Sequence, residues 1–327
     1  MSNKQDVILR SRVRLARNIV DYPFSPVLNT ACRKEIIEKA ENALRTNGYT
    51  RQNDTDNTVA VHALSEENLV SREFADDKEL HALLCNADAN TYIMVCEEDH
   101  LRIQSFADGA DLTTAGKRAF AAERLLNEKI KFAFDRELGY LTHCPTNLGT
   151  AMRASMMMFL PALTMLGRMG DLKSQLEKIG VTIRGLYGEG SAADAYMYQI
   201  SNRLSLGLSE DDLLRKIESV ASRIAEDELR ARKSLLAARS DALTDKILRS
   251  LGILKYAHMI SGKEFLDCYA YVRLGISLEL IDSVQLSELD KLLYEAMPAH
   301  LIAKNKDAAS DATLRDKLRA ETIKQRI

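Results

Sequence analysis

The sequence predicts an α+β domain followed by an all-α domain. At 327 residues the chain is longer than one ordinary hydrophobic core supports, so two domains are the default expectation. Up to about residue 207, segments with the period-two alternation of strands are interspersed with helical patterns, whereas only helical periodicity follows. The predicted domains therefore span residues 7–232 and 233–327, with the boundary placed in the interval 207–238.

Composition restricts the compartment and the classes of partner. The formal charge of −2 and the pI near 6.4 give no sign of nucleic-acid or membrane binding. The five cysteines are odd in number and lack CxxC spacing, which favours free thiols in a reducing cytoplasm. Residues 1–6 lack an apolar signal region, and the apolar run at 155–166 is too short to cross a bilayer. We therefore expect a soluble cytoplasmic protein.

The first predicted strand, residues 7–15, carries Arg10, Arg12 and Arg14 at alternate positions. Period-two spacing places the three guanidinium groups on one face. Like charges this close repel one another unless an anion neutralises them. An anion-binding strand is therefore favoured over a solvated basic edge.

Apolar spacing defines the elements that follow. Residues 31–45 are predicted to form a helix, 58–64 a strand and 80–84 a short helix. Residues 91–96 have the apolar character of a buried strand, and 112–134 that of a long amphipathic helix.

Three acids, Glu97, Glu98 and Asp99, come directly after the buried strand. Acids there are costly unless they hold a cation. If the extended geometry continues, Glu98 and Arg102 share a face. They either pair with each other, or Glu98 binds a cationic substrate while Arg102 binds an anionic one. The local pattern does not decide between these interpretations.

The segment 139–155 is predicted to run from a strand through a turn at Cys144-Pro145 into a helix. The helix is expected to open near residues 146–150 and to carry Arg153 in its first turns. A helix start offers free N–H groups and a positive dipole end, so this stretch would bind phosphate. The alternative is an ordinary connection in which Cys144 fills space.

The remaining elements complete the domain and add the helical region. Residues 172–179 are predicted as a helix, and 181–187 as a strand that carries Arg184. The turn 188–191 has glycines on both sides of Glu189, so it is either a loop that closes over a ligand or a plain hairpin turn. Residues 196–206 are predicted as a strand. The helices expected after it are 211–238, 241–259, 263–278, 285–297 and 311–327.

Charged residues of the first domain suit a nucleotide and a guanidinium. The sequence has no GxxxxGK[ST] loop, no HRD or DFG set and no GxGxxG fingerprint, so arginines would have to hold a triphosphate. Carboxylates bind a guanidinium through paired hydrogen bonds, and one is needed to remove a proton because the guanidinium pKa is above about 12. A thiolate at Cys144 could also contact this acceptor.

Four motifs resemble those of the phosphagen (guanidino) kinase family, in the family's order. They are Ser11-Arg12-Val13-Arg14-Leu15-Ala16-Arg17-Asn18, Glu97-Glu98-Asp99-His100-Leu101-Arg102-Ile103, Cys144-Pro145-Thr146-Asn147-Leu148-Gly149-Thr150 and Arg184-Gly185-Leu186-Tyr187-Gly188-Glu189-Gly190-Ser191. Within the family the chain looks like the bacterial protein-arginine kinases. It leaves no room for the helical domain that precedes the first motif in the metabolic enzymes. In addition, Arg315-Asp316-Lys317-Leu318-Arg319-Ala320 matches the RDxxRA motif of the protein-arginine kinases.

The resemblance implies an antiparallel sheet flanked by helices, and a set of site residues. The implied ATP-binding residues are Ser11, Arg12, Val13, Arg14, Arg102, Arg153, Ala154, Ser155, Met156, Met157, Arg184, Gly185, Leu186, Tyr187 and Gly188. Glu98 and Glu189 would orient and deprotonate the guanidinium, with Cys144 beside it. The implied allosteric phosphoarginine-binding residues are Arg315, Asp316, Arg319 and Ala320.

The resemblance also implies partners. ATP would arrive with Mg²⁺ held by its phosphates, and the substrates would be proteins with exposed arginines. The helical domain would form a homodimer. An activator protein and the Clp ATPase and protease would be further partners in a stress response in which phosphoarginine marks clients for degradation.

Four residues depart from the family pattern. Arg10 replaces the usual Ser, Asn68 an expected nucleotide-side His, Cys96 the usual Asn and Ala192 the usual acid. None removes a charge that the chemistry needs, so an active enzyme is expected. The alternatives are a kinase for a free guanidino metabolite and an inactive phosphoarginine-binding adaptor.

Overall fold

An antiparallel sheet forms the centre of the first domain. The computed structural model describes residues 4–52, 58–185 and 194–327. Within them, eight strands pair in the order β2-β3-β4-β5-β1-β8-β10-β9, and β6 and β7 form a separate hairpin. The strands are β1 Ile8–Arg17, β2 Thr50–Arg51, β3 Ala82–Asn86, β4 Thr91–Val95, β5 Leu101–Asp108, β6 Phe134–Asp135, β7 Gly139–Tyr140, β8 Met152–Phe159, β9 Val181–Gly185 and β10 Met197–Asn202.

Helices flank this sheet and make up the C-terminal region. They are α1 Lys4–Val7, α2 Thr30–Leu44, α3 Thr58–Glu66, α4 Arg72–Asp76, α5 Leu112–Asn127, α6 Pro161–Met165, α7 Met169–Lys178, α8 Glu210–Tyr256, α9 Gly262–Ser277, α10 Leu286–Glu295, α11 Pro298–Lys304 and α12 Ala312–Lys324. The predicted class, an antiparallel α+β domain followed by a helical region, is confirmed. No described helix is both long and apolar enough to cross a membrane.

The register of the central strands separates an apolar face from an arginine face. In β1, Val13 and Leu15 are fully buried and face the core with Ala154 and Met156 of β8. Small buried residues of α5 allow that helix to pack closely against this face. The intervening residues of each strand therefore point to the other side of the sheet.

Two predicted elements of the first domain are wrong. Residues 58–64 lie in helix α3, not in a strand. Residues 80–84 are not helical, because Ala82–Asn86 is strand β3 and pairs with β4 across a short turn. Leu and Ala favour helices in isolation, but burial between neighbouring strands overrides that preference.

The predicted helix after Cys144-Pro145 is also wrong. A short 3₁₀ turn at Pro145–Asn147 leads into strand β8, and a helix begins only at Pro161. β8 lies between β1 and β10, so pairing on both sides fixes it as a strand despite its Ala and Met content. The predicted phosphate-binding segment therefore leads into a sheet strand and not into a helix N-terminus.

A single helix joins the two predicted domains. α8 begins after the N-cap Ser209 and continues to Tyr256, with non-helical backbone angles at Arg239. The two helices predicted at 211–238 and 241–259 are thus one interrupted helix. The boundary between residues 232 and 233 remains a prediction, and it falls within α8. The helix predicted at 112–134 ends earlier, at Asn127.

Candidate active site

Arginines from four strands of the sheet converge on one of its faces. Arg14 of β1 lies opposite Arg153 of β8. Ala16, two residues further along β1 and on the same face as Arg14, lies opposite Arg102 of β5, so the three arginine side chains share a face. Arg184 joins them from β9, two strands beyond β8. Together with Arg12, they line a cleft of about 730 Å³. The register thus brings together arginines that lie between residues 12 and 184 in the sequence.

These arginines repel one another. Burial, together with the charges of Arg102, Arg10 and Arg153, lowers the pKa of Arg12 to about 9. Burial and the neighbouring guanidinium groups also lower the pKa of Arg14 and that of Arg153. The Arg14 Nε atom is buried and has no hydrogen-bond partner among the described residues. A bound polyanion would reduce the repulsion between these guanidinium groups and would accept a hydrogen bond from the unpaired donor.

The two glutamates of the acidic turn after β4, Glu97 and Glu98, have different surroundings. Glu97 accepts hydrogen bonds from Arg102 Nη1 at 2.6 Å, from Ser71 Oγ at 2.5 Å and from the Glu98 backbone N–H at 2.8 Å. Burial opposes ionisation of Glu97, but Arg102 and these hydrogen bonds bring its pKa below the ordinary value. The acid–arginine pairing that the sequence left open therefore involves Glu97, which leaves Glu98 for another cation.

Backbone geometry explains why the alternation of β4 does not continue. Cys96 has a φ of 63°, and its N–H donates to the His100 carbonyl at 2.8 Å, so the chain turns at this residue. Glu98 lies at the exposed tip of this turn. Partial desolvation and the Asp99 carboxylate raise the pKa of Glu98. Glu98 is therefore the more basic of the two glutamates.

Hydrogen bonds to Asp99 connect the acidic turn with the segment that contains Cys144. Its Oδ1 accepts from Asn18 Nδ2 at 2.6 Å and from the His143 backbone N–H at 2.8 Å. Cys144 follows directly, half-buried, with its Sγ 3.0 Å from Thr146 Oγ1. Both Glu98 and Cys144 lie close enough to Arg153 to influence its pKa. The predicted acid, thiol and arginine thus meet at one place.

Gly149 holds the end of the Cys144 loop against the chain after β10. Its φ is 97°, and a Cβ there would lie 2.6 Å from Leu206 Cα, so no larger residue fits without backbone movement. Ser205 Oγ donates to the carbonyls of Asn147 and Leu148. The loop position is therefore determined by contacts distant in sequence.

The other predicted ATP-binding residues divide between the two faces. Ser155 and Met157 lie on the arginine face, and Gly185 lines the cleft. Ser11 is buried on the opposite face, where its Oγ donates to the Gly109 carbonyl and accepts from the Asp111 N–H. Val13, Ala154 and Met156 are core residues. Leu186, Tyr187, Gly188, Glu189 and Ala192 lie outside the described residues.

Two departures from the family pattern have clear positions. The Arg10 guanidinium lies over the Phe106 ring, 3.8 Å from its centroid, and donates to the Glu67 carbonyl. Asn68 lines the cleft with a φ of 59°, a conformation that Asn tolerates well. His62 lines the same cleft, so a histidine is present there although not at position 68.

Sequence reasoning missed several cleft residues. The hydrogen bonds of Glu97 with Ser71 and Arg102 form only because the chain turns at Cys96, and no local sequence pattern predicted that turn. Pro298, Ala299 and Ile302 of the helical region also line the cleft. No motif marked them, because only the tertiary fold brings α11 to this position.

The two C-terminal arginines differ in accessibility. Arg315 is half-exposed and donates to the carbonyls of Ala308 and Ala309. Arg319 is buried, donates to the carbonyls of Ala296 and Ile260, and pairs with Asp316 at 2.6 Å. Ala320 is buried beside it. In this conformation Arg319 ties helices together, and Arg315 is the more accessible of the two.

Models of known families match both parts of the chain. Residues 28–231 match the ATP:guanido phosphotransferase C-terminal catalytic domain, and residues 240–327 match the protein-arginine kinase McsB C-terminal domain. The match boundary lies near the interruption of α8 at Arg239.

Curated relatives extend over nearly the whole chain. A protein-arginine kinase of Syntrophomonas wolfei is 36% identical, covering 100% of this chain and 93% of its own. One of Caldanaerobacter subterraneus is 40% identical, covering 91% and 90%.

Solved structures share the fold. The duplicated taurocyamine kinase of Schistosoma mansoni, with bound transition-state-analogue components, gives a TM-score of 0.60 at 26% identity. The match covers 83% of this chain and 46% of that one, so this chain spans about half of the duplicated protein. A lombricine kinase gives 0.57 at 24% identity, covering 72% and 68%. The chain therefore belongs to the ATP:guanido phosphotransferase family, and within it to the group of the protein-arginine kinases.

Proposed function

We propose that the chain transfers the terminal phosphoryl group of ATP to arginine side chains of proteins. The observation that carries this proposal is the crowded arginine face next to Glu98. The arginines provide charge for a triphosphate, and Glu98 provides a basic carboxylate for a guanidinium. The names of the full-length relatives support protein arginine as the acceptor.

The chemistry divides between the two groups of residues. Arg12, Arg14, Arg102, Arg153 and Arg184 bind the phosphates and stabilise negative charge during transfer. The acceptor guanidinium is held by Glu98, with Cys144 beside it. The bond from the terminal phosphorus to ADP oxygen breaks, a phosphorus–nitrogen bond forms, and the departing guanidinium proton passes to the Glu98 carboxylate. Glu189 as a second acid remains a prediction from the family resemblance.

Mg²⁺ is proposed to enter with ATP. Among the described residues, no group of three or more His, Cys, Asp or Glu side chains could hold a metal ion. Phosphate oxygens are suitable Mg²⁺ ligands, so the ion is proposed to be carried by the nucleotide.

Access to the site supports a protein acceptor. Glu98 is exposed and Cys144 is half-exposed, so an arginine on a protein surface can approach them from solvent. The family resemblance adds a cytoplasmic homodimer formed through the helical region. It also adds an activator protein, and the Clp machinery that degrades marked clients under stress.

A regulatory site is proposed around Arg315, Asp316, Arg319 and Ala320, on the basis of the RDxxRA match. Because Arg319 is buried, Arg315 is the residue that makes first contact with a phosphoarginine. Arg315→Ala is expected to abolish binding of a phosphoarginine peptide in a fluorescence-polarisation assay. Binding that survives this substitution would refute the assignment.

Phosphoarginine formation tests the enzymatic proposal directly. The purified chain is incubated with Mg·ATP and an arginine-rich protein, with free arginine as a parallel acceptor, and analysed by mass spectrometry without acid. Phosphate on protein arginine is expected. Glu98→Gln is expected to lower the rate by about 10²-fold or more, whereas the exposed Glu137→Gln should leave it unchanged.

Each remaining result has a defined meaning. Phosphate on free arginine alone would favour a kinase for a guanidino metabolite. No phosphate on either acceptor, with phosphoarginine peptide still bound, would favour the adaptor. Full activity of Glu98→Gln would contradict its catalytic role.

A further inference from the structure

We propose that the helical C-terminal region forms part of the nucleotide site, with α11 binding the nucleoside end of ATP. This inference rests on the proposed function, since it assumes that the arginine face holds the triphosphate. It adds a binding surface from outside the catalytic domain.

The cleft has two chemically different ends. The arginine end presents charge from the sheet. The other end lies between α3 and α11, where Val59 and Ile302 contribute apolar surface and His62 and Ser65 contribute polar groups. A nucleoside combines a flat apolar ring with a hydrogen-bonding edge. Its chemistry therefore fits the α3–α11 end, just as the triphosphate fits the arginine end.

The α11 wall is fixed to the catalytic domain by the end of α3. The Glu66 carboxylate accepts from the Ala299 backbone N–H at 2.9 Å and from the His300 N–H at 3.4 Å. His300 Nε2 lies 3.3 Å from Glu67 Oε1. The first N–H groups of α11 are thus satisfied within the protein, and the helix is held with Pro298, Ala299 and Ile302 towards the cleft.

A second contact from the helical region reaches the sheet beside the arginines. Tyr294, at the end of α10, lines a small cavity of about 30 Å³ with Phe106, Met157 and Gln199. Arg12 lines both this cavity and the main cleft. Two separate elements of the helical region therefore approach the arginine face: α11 lines the main cleft, and Tyr294 of α10 lines the small cavity that shares Arg12 with it.

Isothermal titration calorimetry with two probes isolates the nucleoside contribution. Mg·ATP occupies both ends of the cleft, whereas Mg·tripolyphosphate occupies the arginine end alone. Tripolyphosphate carries at least as much negative charge, so tighter binding of ATP must come from the nucleoside. For the unaltered chain we expect ATP to bind at least about tenfold more tightly.

Ile302→Ala removes apolar surface from the α11 wall. We expect this variant to bind Mg·ATP about fivefold more weakly and to bind Mg·tripolyphosphate unchanged. Ile302→Val, a smaller deletion, should have an intermediate effect. The matched control is Ile253→Ala, because Ile253 is also a half-buried isoleucine of the helical region but does not line the cleft. It should bind both probes as the unaltered chain does.

The outcomes separate this inference from the proposed function. Equal affinity for the two probes in the unaltered chain would overturn the α11 inference, as would ATP binding that Ile302→Ala leaves unchanged. Neither of these results would count against phosphoarginine formation, which mass spectrometry measures separately. Conversely, the expected affinities without any phosphoarginine would support the α11 site and refute the proposed kinase activity.

Discussion

Cys96 shows how one residue shapes the acidic turn. It is fully buried, and its φ of 63° is a conformation that Cys rarely adopts and Asn tolerates better. Arg33 Nη1 donates to the Cys96 carbonyl, while the buried Arg33 Nε has no hydrogen-bond partner in the described parts of the chain. The positive φ at this position therefore favours Asn, the residue of the family pattern, over Cys.

Cys96→Asn is expected to stabilise the fold by about 1 kcal/mol. The amide relieves backbone strain, and its N–H₂ can donate to the Arg33 carbonyl, which lies 3.9 Å from Cys96 Sγ. Urea denaturation measures the change in the free energy of unfolding. Cys85→Asn is the control, since Cys85 is a buried strand residue without a positive φ, and it should be destabilised. Equal destabilisation of both variants would contradict this account.

The pKa of Glu98 predicts the pH dependence of activity. In the proposed mechanism the Glu98 carboxylate is the base, so activity is expected to fall as the pH decreases through the Glu98 pKa. Since desolvation and Asp99 raise that pKa, the decline should begin at a higher pH than for an ordinary glutamate.

Asp99→Asn tests the electrostatic part of this prediction. The amide oxygen can still accept the hydrogen bonds from Asn18 and His143, but the negative charge next to Glu98 is lost. The acidic limb of the kcat/KM profile should therefore move to lower pH. An unchanged limb would show that another group controls it.

At the scale of elements, the junction of α6 and α8 depends on a buried ion pair. Glu228 is fully buried, and its carboxylate accepts from the N–H groups of Ala162 and Leu163 and from Arg232 Nε. Arg232 Nη2 donates in turn to the Phe159 carbonyl at the end of β8. One carboxylate thus joins the start of α6 to the helix that connects the two domains.

Glu228→Ala is expected to cost about 3 kcal/mol or more of stability, because it leaves a buried arginine and two N–H groups without their acceptor. Thermal unfolding followed by circular dichroism measures the loss. Glu226→Ala, two residues earlier in α8, removes an exposed pair with Lys4 and should cost at most about 1 kcal/mol. Similar losses for the two variants would count against the junction.

At the scale of the molecule, the arginine face brings like charges close together inside the fold. Arg14 lies in a central strand among like charges, whereas Arg17 in the same strand is paired with Glu123 at 2.6 Å. Charge crowding at Arg14 is tolerated in a folded protein because burial of the opposite sheet face supplies the stability.

Arg14→Met is therefore expected to raise the stability of the nucleotide-free chain by about 1 kcal/mol and to abolish stabilisation by Mg·ATP. Arg17→Met should instead destabilise the chain, since it leaves a partly buried Glu123 unpaired. Unfolding temperatures with and without Mg·ATP compare the two. A loss of stability in nucleotide-free Arg14→Met would contradict the proposed repulsion.

The sequence alone predicted the class of the fold, the arginines of an anion-binding strand and the position of the acid-rich segment after β4. Alternation is visible in β1 because every second residue from Ser11 onward is buried, and helical periodicity is visible in α10 because one face packs inward. The spacing of Arg12 and Arg14 predicted their common face from backbone geometry alone.

Only the tertiary structure decided how these parts meet. It made residues 152–159 a strand, because pairing on both sides outweighs helix propensity. It assigned Arg102 to Glu97 and left Glu98 exposed, because the chain turns at Cys96. It also placed α11 against the cleft, through a contact between Glu66 and Ala299. These contacts join residues far apart in the sequence, so no local pattern encodes them.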